Sequence, residues 1–401
     1  MPKKTSKTIT SYLNDLHLSN NSTIGNNDLG KSLGNPLNPS INFSSAYAFK
    51  SIQELNEYHD NKMNNTRYAR DGNDLARQVE EYLGHIHDKR TSFLFNSGMA
   101  AVNCALSIFY NQIDNLVTFG MFYRKSEVII SQGVKAFNIN HYHVNDNDFS
   151  SLDLLKGKTL FFIENYSNPF LRVIDVDKIK KQYPECFIII DNTLQGLIIN
   201  ESESNHADII LSSCTKYIGG HNDLLAGVLS TKNKDLIKQV WDYRSANGCI
   251  LGSFDSYLLL RSLRTYDLRV AKIKENISHV LSFLKEHSKI KRIFYPFSFS
   301  NDDQATLGKN YDFHGGVVSF EVVQEVNLEK NLGELRSTKM APSFGSIDSL
   351  IEIPFYMSKR EKGGIDEKHY HSLIFSNKFI RFSVGCEPIS YVLSDLDILL
   401  S

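Results

Sequence analysis

The sequence predicts an α/β protein: a mostly parallel sheet covered by helices, followed by a smaller α+β domain. Three observations predict it. Short runs at Thr91–Phe95, Thr159–Glu164, Cys186–Asp191 and Asp208–Ser213 are rich in aliphatic, aromatic and β-branched residues, as buried strands are. Helical patterns such as Met99–Tyr110 and Leu224–Val228 lie between or after them, and that alternation gives parallel strands with helices on both faces. The segment Ser253–His287 then holds apolar residues at helical spacing, over a length that suits a bridge between domains. Beyond about residue 290 the pattern shortens to strands at Gly316–Val322, Ser349–Glu352 and Phe379–Val384, and ends in a helix.

These elements divide the chain into an N-terminal arm or clasp (1–60), a large domain (61–270) and a small C-terminal domain (271–401). The first stretch, to about residue 37, is polar and rich in Asn, Ser, Thr and Lys. It reads equally well as a clasping arm or a plain flexible terminus.

Composition narrows the function. Of 401 residues, 41% are hydrophobic and 22% charged, enough apolar material for a sizeable core. Lys+Arg (44) and Asp+Glu (45) nearly cancel, which argues against nucleic acid or an anionic membrane as the main partner. No stretch approaches the roughly 18 apolar residues of a membrane span, and the basic start is not followed by a signal-type apolar run. Five scattered cysteines (Cys104, Cys186, Cys214, Cys249, Cys386) without a Cys-x-x-Cys pair suit a reduced, cytoplasmic protein. The pairs His85/His87, His141/His143 and His369/His371 lack accompanying Cys or acidic ligands and read as surface histidines, so no metal is expected.

In open α/β sheets ligands bind where strands end at their carboxyl side, so the residues after each strand carry the chemistry. Ser97-Gly98-Met99 follows the first strand and opens a helix, a seat for phosphate, although the same residues also serve as ordinary capping. Asp191 ends another strand; a buried carboxylate needs a cationic or donor partner, and a protonated pyridine nitrogen is one. An Asp there is also a common cap or turn residue. Lys216 lies between a strand and Gly219-Gly220, where partial burial near a positive group lowers an amine's pKa and lets it form a Schiff base. Ser213 and Thr215 flank it with hydroxyls.

The surroundings of Lys216, Cys214-Thr215-Lys216-Tyr217-Ile218-Gly219-Gly220-His221, resemble the motif around the cofactor lysine of the Cys/Met-metabolism pyridoxal-phosphate enzymes. That family contains cystathionine γ-synthase, the cystathionine lyases and methionine γ-lyase. Further segments match in order: Tyr68-Ala69-Arg70-Asp71-Gly72-Asn73, Ser97–Ala101, Glu164–Asp175 with Asn168-Pro169, Asp191-Asn192-Thr193 and Arg381–Glu387. The resemblance covers roughly residues 38 to 400. It implies pyridoxal-phosphate-dependent transferase fold type I, the aspartate-aminotransferase-like architecture, with a seven-stranded core sheet and pyridoxal 5'-phosphate as cofactor. It also implies a homotetramer, a dimer of dimers, whose active sites are shared between subunits. By the same resemblance Lys216 carries the cofactor and moves protons, Asp191 faces the pyridinium nitrogen and Asn168 the ring hydroxyl. Ser97, Gly98, Met99, Ser213 and Thr215 hold the phosphate, and Tyr68 and Arg70 reach a neighbouring subunit's phosphate. Arg381 clamps the substrate carboxylate, with Ser343 beside it.

Asp74 replaces the family's usual Pro after Gly-Asn, and two further segments depart from the family pattern. At Phe119-Gly120-Met121-Phe122-Tyr123, where the family has Tyr-Gly-Gly-Thr-Tyr, Phe119 takes the place of the ring-stacking Tyr, unless Tyr123 reaches the ring instead. Pro342 precedes Ser343 where γ-selective relatives carry Glu, and Phe344 follows where β-lyases carry Trp. The expected activity is γ-replacement or γ-elimination on an activated homoserine or thioether amino acid. β-Elimination is the alternative, and a catalytically idle cofactor-binding relative is a third reading.

Overall fold

The computed structural model describes residues 37–144, 152, 155–296, 313–357, 374 and 376–401. The expected arm up to residue 36 lies outside the described residues, as do His369 and His371. Two sheets organise the rest. The larger has seven strands: β1 (Thr91–Phe95), β2 (Asn115–Phe119), β3 (Asn140–Val144), β4 (Thr159–Glu164), β5 (Phe187–Asp191), β6 (Ile209–Ser213) and β7 (Gly227–Thr231). Their order is β1-β7-β6-β5-β4-β2-β3, and only β7 runs against its neighbours. The smaller sheet holds β8 (Ile290–Phe294), β9 (Val317–Val322), β10 (Lys339–Met340), β11 (Leu350–Glu352) and β12 (Phe379–Ser383), in the order β10-β11-β12-β9-β8.

The central strands of the large sheet read as unbroken apolar runs because both faces are covered. Leu160, Phe162, Ile189, Ile209 and Leu211 face one core cluster, and Val117, Phe161, Ile163, Ile188, Ile190 and Ile210 the other. Tyr217 ties this sheet to the smaller one: its buried hydroxyl accepts the Gly316 N–H at 2.7 Å, just before β9. Among the described residues no helix is long and apolar enough to cross a membrane.

Three expectations are corrected. Leu224–Val228 does not form a helix; Gly227 instead starts β7, an antiparallel strand between β1 and β6. The apolar run there is short, and a short buried run has no periodicity to separate strand from helix. Ser253–His287 is two helices, Ser253–Leu263 and Tyr266–Glu286. The break lets Arg269 reach back, its guanidinium donating to the carbonyls of Ser262, Tyr217 and Ile218. Finally, His87 is not a surface residue. It is fully buried with Nδ1 2.8 Å from the Ser230 hydroxyl, and burial pushes its pKa down to about 4.

Candidate active site

Five strands of the large sheet deliver side chains to one place. Beyond the carboxyl ends of β1, β2, β4, β5 and β6, facing β11 and β12 of the smaller sheet, lies a cavity of about 410 Å³. Its lining includes Ser97, Gly98, Met99, Asn168, Asp191, Ser213, Thr215, Lys216, Ser343 and Arg381, all singled out in the sequence.

Lys216 sits in a tight turn after β6, closed by bonds from Gly219 N–H to the Cys214 carbonyl and from Gly220 N–H to the Lys216 carbonyl, both 2.7 Å. Gly220 has φ +68°, and a Cβ there would strike the Arg269 guanidinium, so this corner needs glycine. The Lys216 Nζ donates to Ser343 Oγ at 2.9 Å and lies 5.0 Å from the centre of the Phe344 ring. Burial, assisted by the positive charge of Arg381 and opposed by Glu352, lowers its pKa to about 8. The free amine is therefore a minority form at neutral pH and reaches about half near pH 8, a far larger share than an ordinary lysine holds.

The carboxylates lie side by side. Glu164 and Asp191 are register partners at the ends of β4 and β5. Asp191 accepts the Thr193 N–H (3.0 Å) and hydroxyl (2.5 Å), both on Oδ1, yet burial still raises its pKa to about 6. Glu164, its pKa likewise raised by burial and by Asp191's charge, accepts the Tyr123 N–H at 2.6 Å and so fixes the start of the helix Arg124–Phe137.

Across the cavity, β12 presents Arg381. Its Nη1 donates to Asn168 Oδ1 at 3.2 Å, and its Nη2 to the Ser343 carbonyl at 3.3 Å and to Glu352. The phosphate-type corner is backbone-rich. Ser97 caps the helix Gly98–Ser107 by accepting the Ala100 N–H at 3.1 Å, and Thr215 Oγ1 accepts the Ala226 N–H at 3.2 Å.

Three candidates stand elsewhere. Phe119 does not line the cavity: it packs in the core 6.0 Å from the parallel ring of Phe161, because the last residue of β2 points to the sheet face opposite its neighbour. Tyr123, beyond the strand, does line it and is 47% exposed. Tyr68 and Arg70 are exposed and stack on each other at 5.2 Å, away from the cavity. The cavity also draws in residues the sequence did not single out for a role, among them Glu164, Thr193, Met121 and Glu352. Glu164 stood in a matched segment; Glu352 carried no local signal.

A seven-stranded sheet with a lysine turn, a strand-end Asp and a helix-start cradle around one cavity defines a pyridoxal-phosphate-dependent enzyme of fold type I. Residues 24–401 match the family model described as Cys/Met metabolism PLP-dependent enzyme, and the chain belongs to that family. It is similar to cystathionine β-lyase of Lactococcus lactis, 28% identical over 82% of this chain and 87% of that one. Cystathionine γ-lyase of Bacillus subtilis is 29% identical with the same coverages. Cystathionine γ-synthase 1 of Nicotiana tabacum is 29% identical over 89% of this chain, which spans 66% of that protein. Among solved structures, cystathionine γ-lyase from Lactobacillus plantarum complexed with L-serine superposes with a TM-score of 0.78 at 27% identity, covering 90% and 92% of the two chains.

The residues present fit this cofactor. A Cβ on Gly98 would fall 2.7 Å from the Ser213 Cβ, so bare backbone lets the helix start close against Ser213, leaving N–H groups and hydroxyls together for a phosphate. Both protein donors to Asp191 fall on one oxygen, and the depth of its burial suits a carboxylate matched to a ring N–H⁺.

Proposed function

We propose that this enzyme catalyses γ-replacement or γ-elimination on an activated homoserine or a thioether amino acid. The observation that carries the reading is the pairing of a depressed-pKa Lys216 amine with Arg381 across one cavity. A base and a carboxylate fork so placed can hold an amino acid with its Cα–H presented to the amine.

When bound, pyridoxal phosphate supplies a ring that accepts the electron pair left as the substrate's Cα–H bond breaks. The chain's residues do the rest. Ser97, Gly98, Met99, Ser213 and Thr215 hold the phosphate, Asp191 the proton on the ring nitrogen, and Asn168 the side of the ring hydroxyl. Arg381 orients the substrate carboxylate, with Ser343 keeping the Lys216 amine beside it. Lys216 Nζ takes the Cα proton, hands it on, and for γ-chemistry takes a Cβ proton next; the pair of that C–H bond forms the Cβ–Cγ double bond as the γ-substituent departs with its own bonding pair. Tyr123, at the cavity wall, takes the role of covering aromatic that Phe119 cannot fill from the core.

β-Elimination is the second reading, favoured by Phe344, an aromatic ring 5.0 Å from the amine where β-lyases place Trp. Tyr68 and Arg70, exposed and outside the lining of their own cavity, support sites completed by a neighbouring subunit in a homotetramer. The five free cysteines suit a cytoplasmic setting. Product analysis tests the activity: the loaded enzyme is incubated with acyl-homoserines, cystathionine and methionine, with and without a thiol. A new amino acid formed only with thiol establishes replacement, and a four-carbon 2-oxo acid with ammonia establishes γ-elimination. Pyruvate from cystathionine transfers the assignment to β-elimination, and no product from any substrate defeats the reading.

A further inference from the structure

The cation at Arg381 is already matched by a carboxylate of the protein itself. Glu352 on β11 and Arg381 on β12 are register partners, so the pleat sends both side chains to one face of the smaller sheet. Both line the cavity, and their side chains are only 18% and 10% exposed. The donors of the guanidinium can be counted. Nη2 carries two N–H groups. It has two acceptors, the Ser343 carbonyl and Glu352 Oε2, while Nη1 donates to Asn168 Oδ1. A carboxylate seated across the fork takes one N–H from each terminal nitrogen. Nη2 therefore has none to offer until one of its acceptors lets go. The Ser343 carbonyl is backbone, whereas Glu352 holds on through a rotatable side chain, so Glu352 is the acceptor that yields.

We propose that Glu352 is a resident competitor at Arg381, so that substrate binding exchanges the Glu352 carboxylate for the substrate's. The inference rests on Arg381 being the substrate-carboxylate seat. Exchange between two carboxylates is nearly balanced, and a ligand that offers a carboxylate alone gains little by displacing Glu352. An amino acid brings a second attachment through its amine and wins the exchange. Glu352 is thus a specificity-determining residue that rejects simple carboxylic acids in favour of amino acids, a selection made by raising the threshold against the wrong ligand.

Calorimetric titration of the cofactor-loaded enzyme with propionate, which has no amine and cannot turn over, tests this. Glu352→Gln is expected to bind propionate about tenfold or more tightly than wild type, since a charged acceptor no longer holds the fork. Arg381→Met is expected to lose propionate binding. If Arg381→Met binds propionate as wild type does, the reading of Arg381 fails and the inference falls with it. If Arg381→Met abolishes binding but Glu352→Gln leaves it unchanged or weaker, Glu352 only props the guanidinium and the competitor role is overturned. A crystal structure of the wild-type enzyme with propionate on Arg381 gives a check independent of any variant. It supports the proposal if Glu352 has left Nη2, and overturns it if Glu352 remains there.

Discussion

The two walls of the cavity are built differently. On the large sheet, each group stands at the carboxyl end of a strand: Ser97 and Gly98 after β1, Asp191 at β5, and Lys216 just beyond β6. Each is held by its own local turn, as Lys216 is by the Cys214–Gly220 bonds. On the smaller sheet the groups come from separate segments. Ser343 lies in a loop, and Glu352 and Arg381 meet through antiparallel register. The large-sheet wall is thus a set of local motifs, and the small-sheet wall a product of strand pairing. On the function proposed above, chemistry common to a family is fixed by motifs, while substrate choice falls to a wall that can change one residue at a time.

That contrast can be broken at several points. The largest expected effect is at the large-sheet wall: Lys216→Ala should lower turnover by about 10³-fold or more, with unchanged thermal unfolding, in single-turnover assays. Unchanged turnover would mean that the amine does no proton transfer. At the small-sheet wall, Arg381→Lys keeps the charge but loses the planar fork, and should lower kcat/KM by about 10–100-fold, mainly through KM. A fall confined to kcat would move Arg381 out of substrate binding. Asp191→Asn should weaken cofactor retention by about tenfold, read by equilibrium dialysis. Equal retention would separate Asp191 from the ring nitrogen.

A smaller effect separates the two aromatic candidates. Phe119→Tyr puts a hydroxyl into the apolar core beside Phe161 and should cost about 1–3 kcal/mol of stability in denaturant unfolding. A large gain of lyase activity instead would restore Phe119 to the site. The smallest effect lies far from the cavity, at His87. Its folded pKa, about 4, is below the ordinary value of 6.5, so the folded state binds fewer protons in that interval. Its contribution is present above pH 6.5 and is lost as pH falls towards 4. His87→Gln should flatten this part of the stability profile, and a profile unchanged by the substitution would show that His87 is not its source.

Much of the site was legible because its residues stand in short segments with their own backbone logic. Lys216 with its glycines, Asp191 at a strand end and Ser97-Gly98 before a helix can each be read without knowing the fold. Phe119 was misplaced because side-chain direction alternates along a strand, and a shift in where β2 ends moves an aromatic from cavity to core. Glu352 was invisible because its significance lies in a partner on another strand.

The sequence by itself determined the family and with it the cofactor, and it set Lys216 in a glycine-closed turn, since a turn of a few residues carries its own geometry wherever it is placed. Only the tertiary structure decided that Tyr123 rather than Phe119 faces the cavity, and that Arg381 is held by Glu352, Asn168 and Ser343. Those facts depend on strand register and on two sheets meeting, and contacts between distant segments leave no mark on either segment alone.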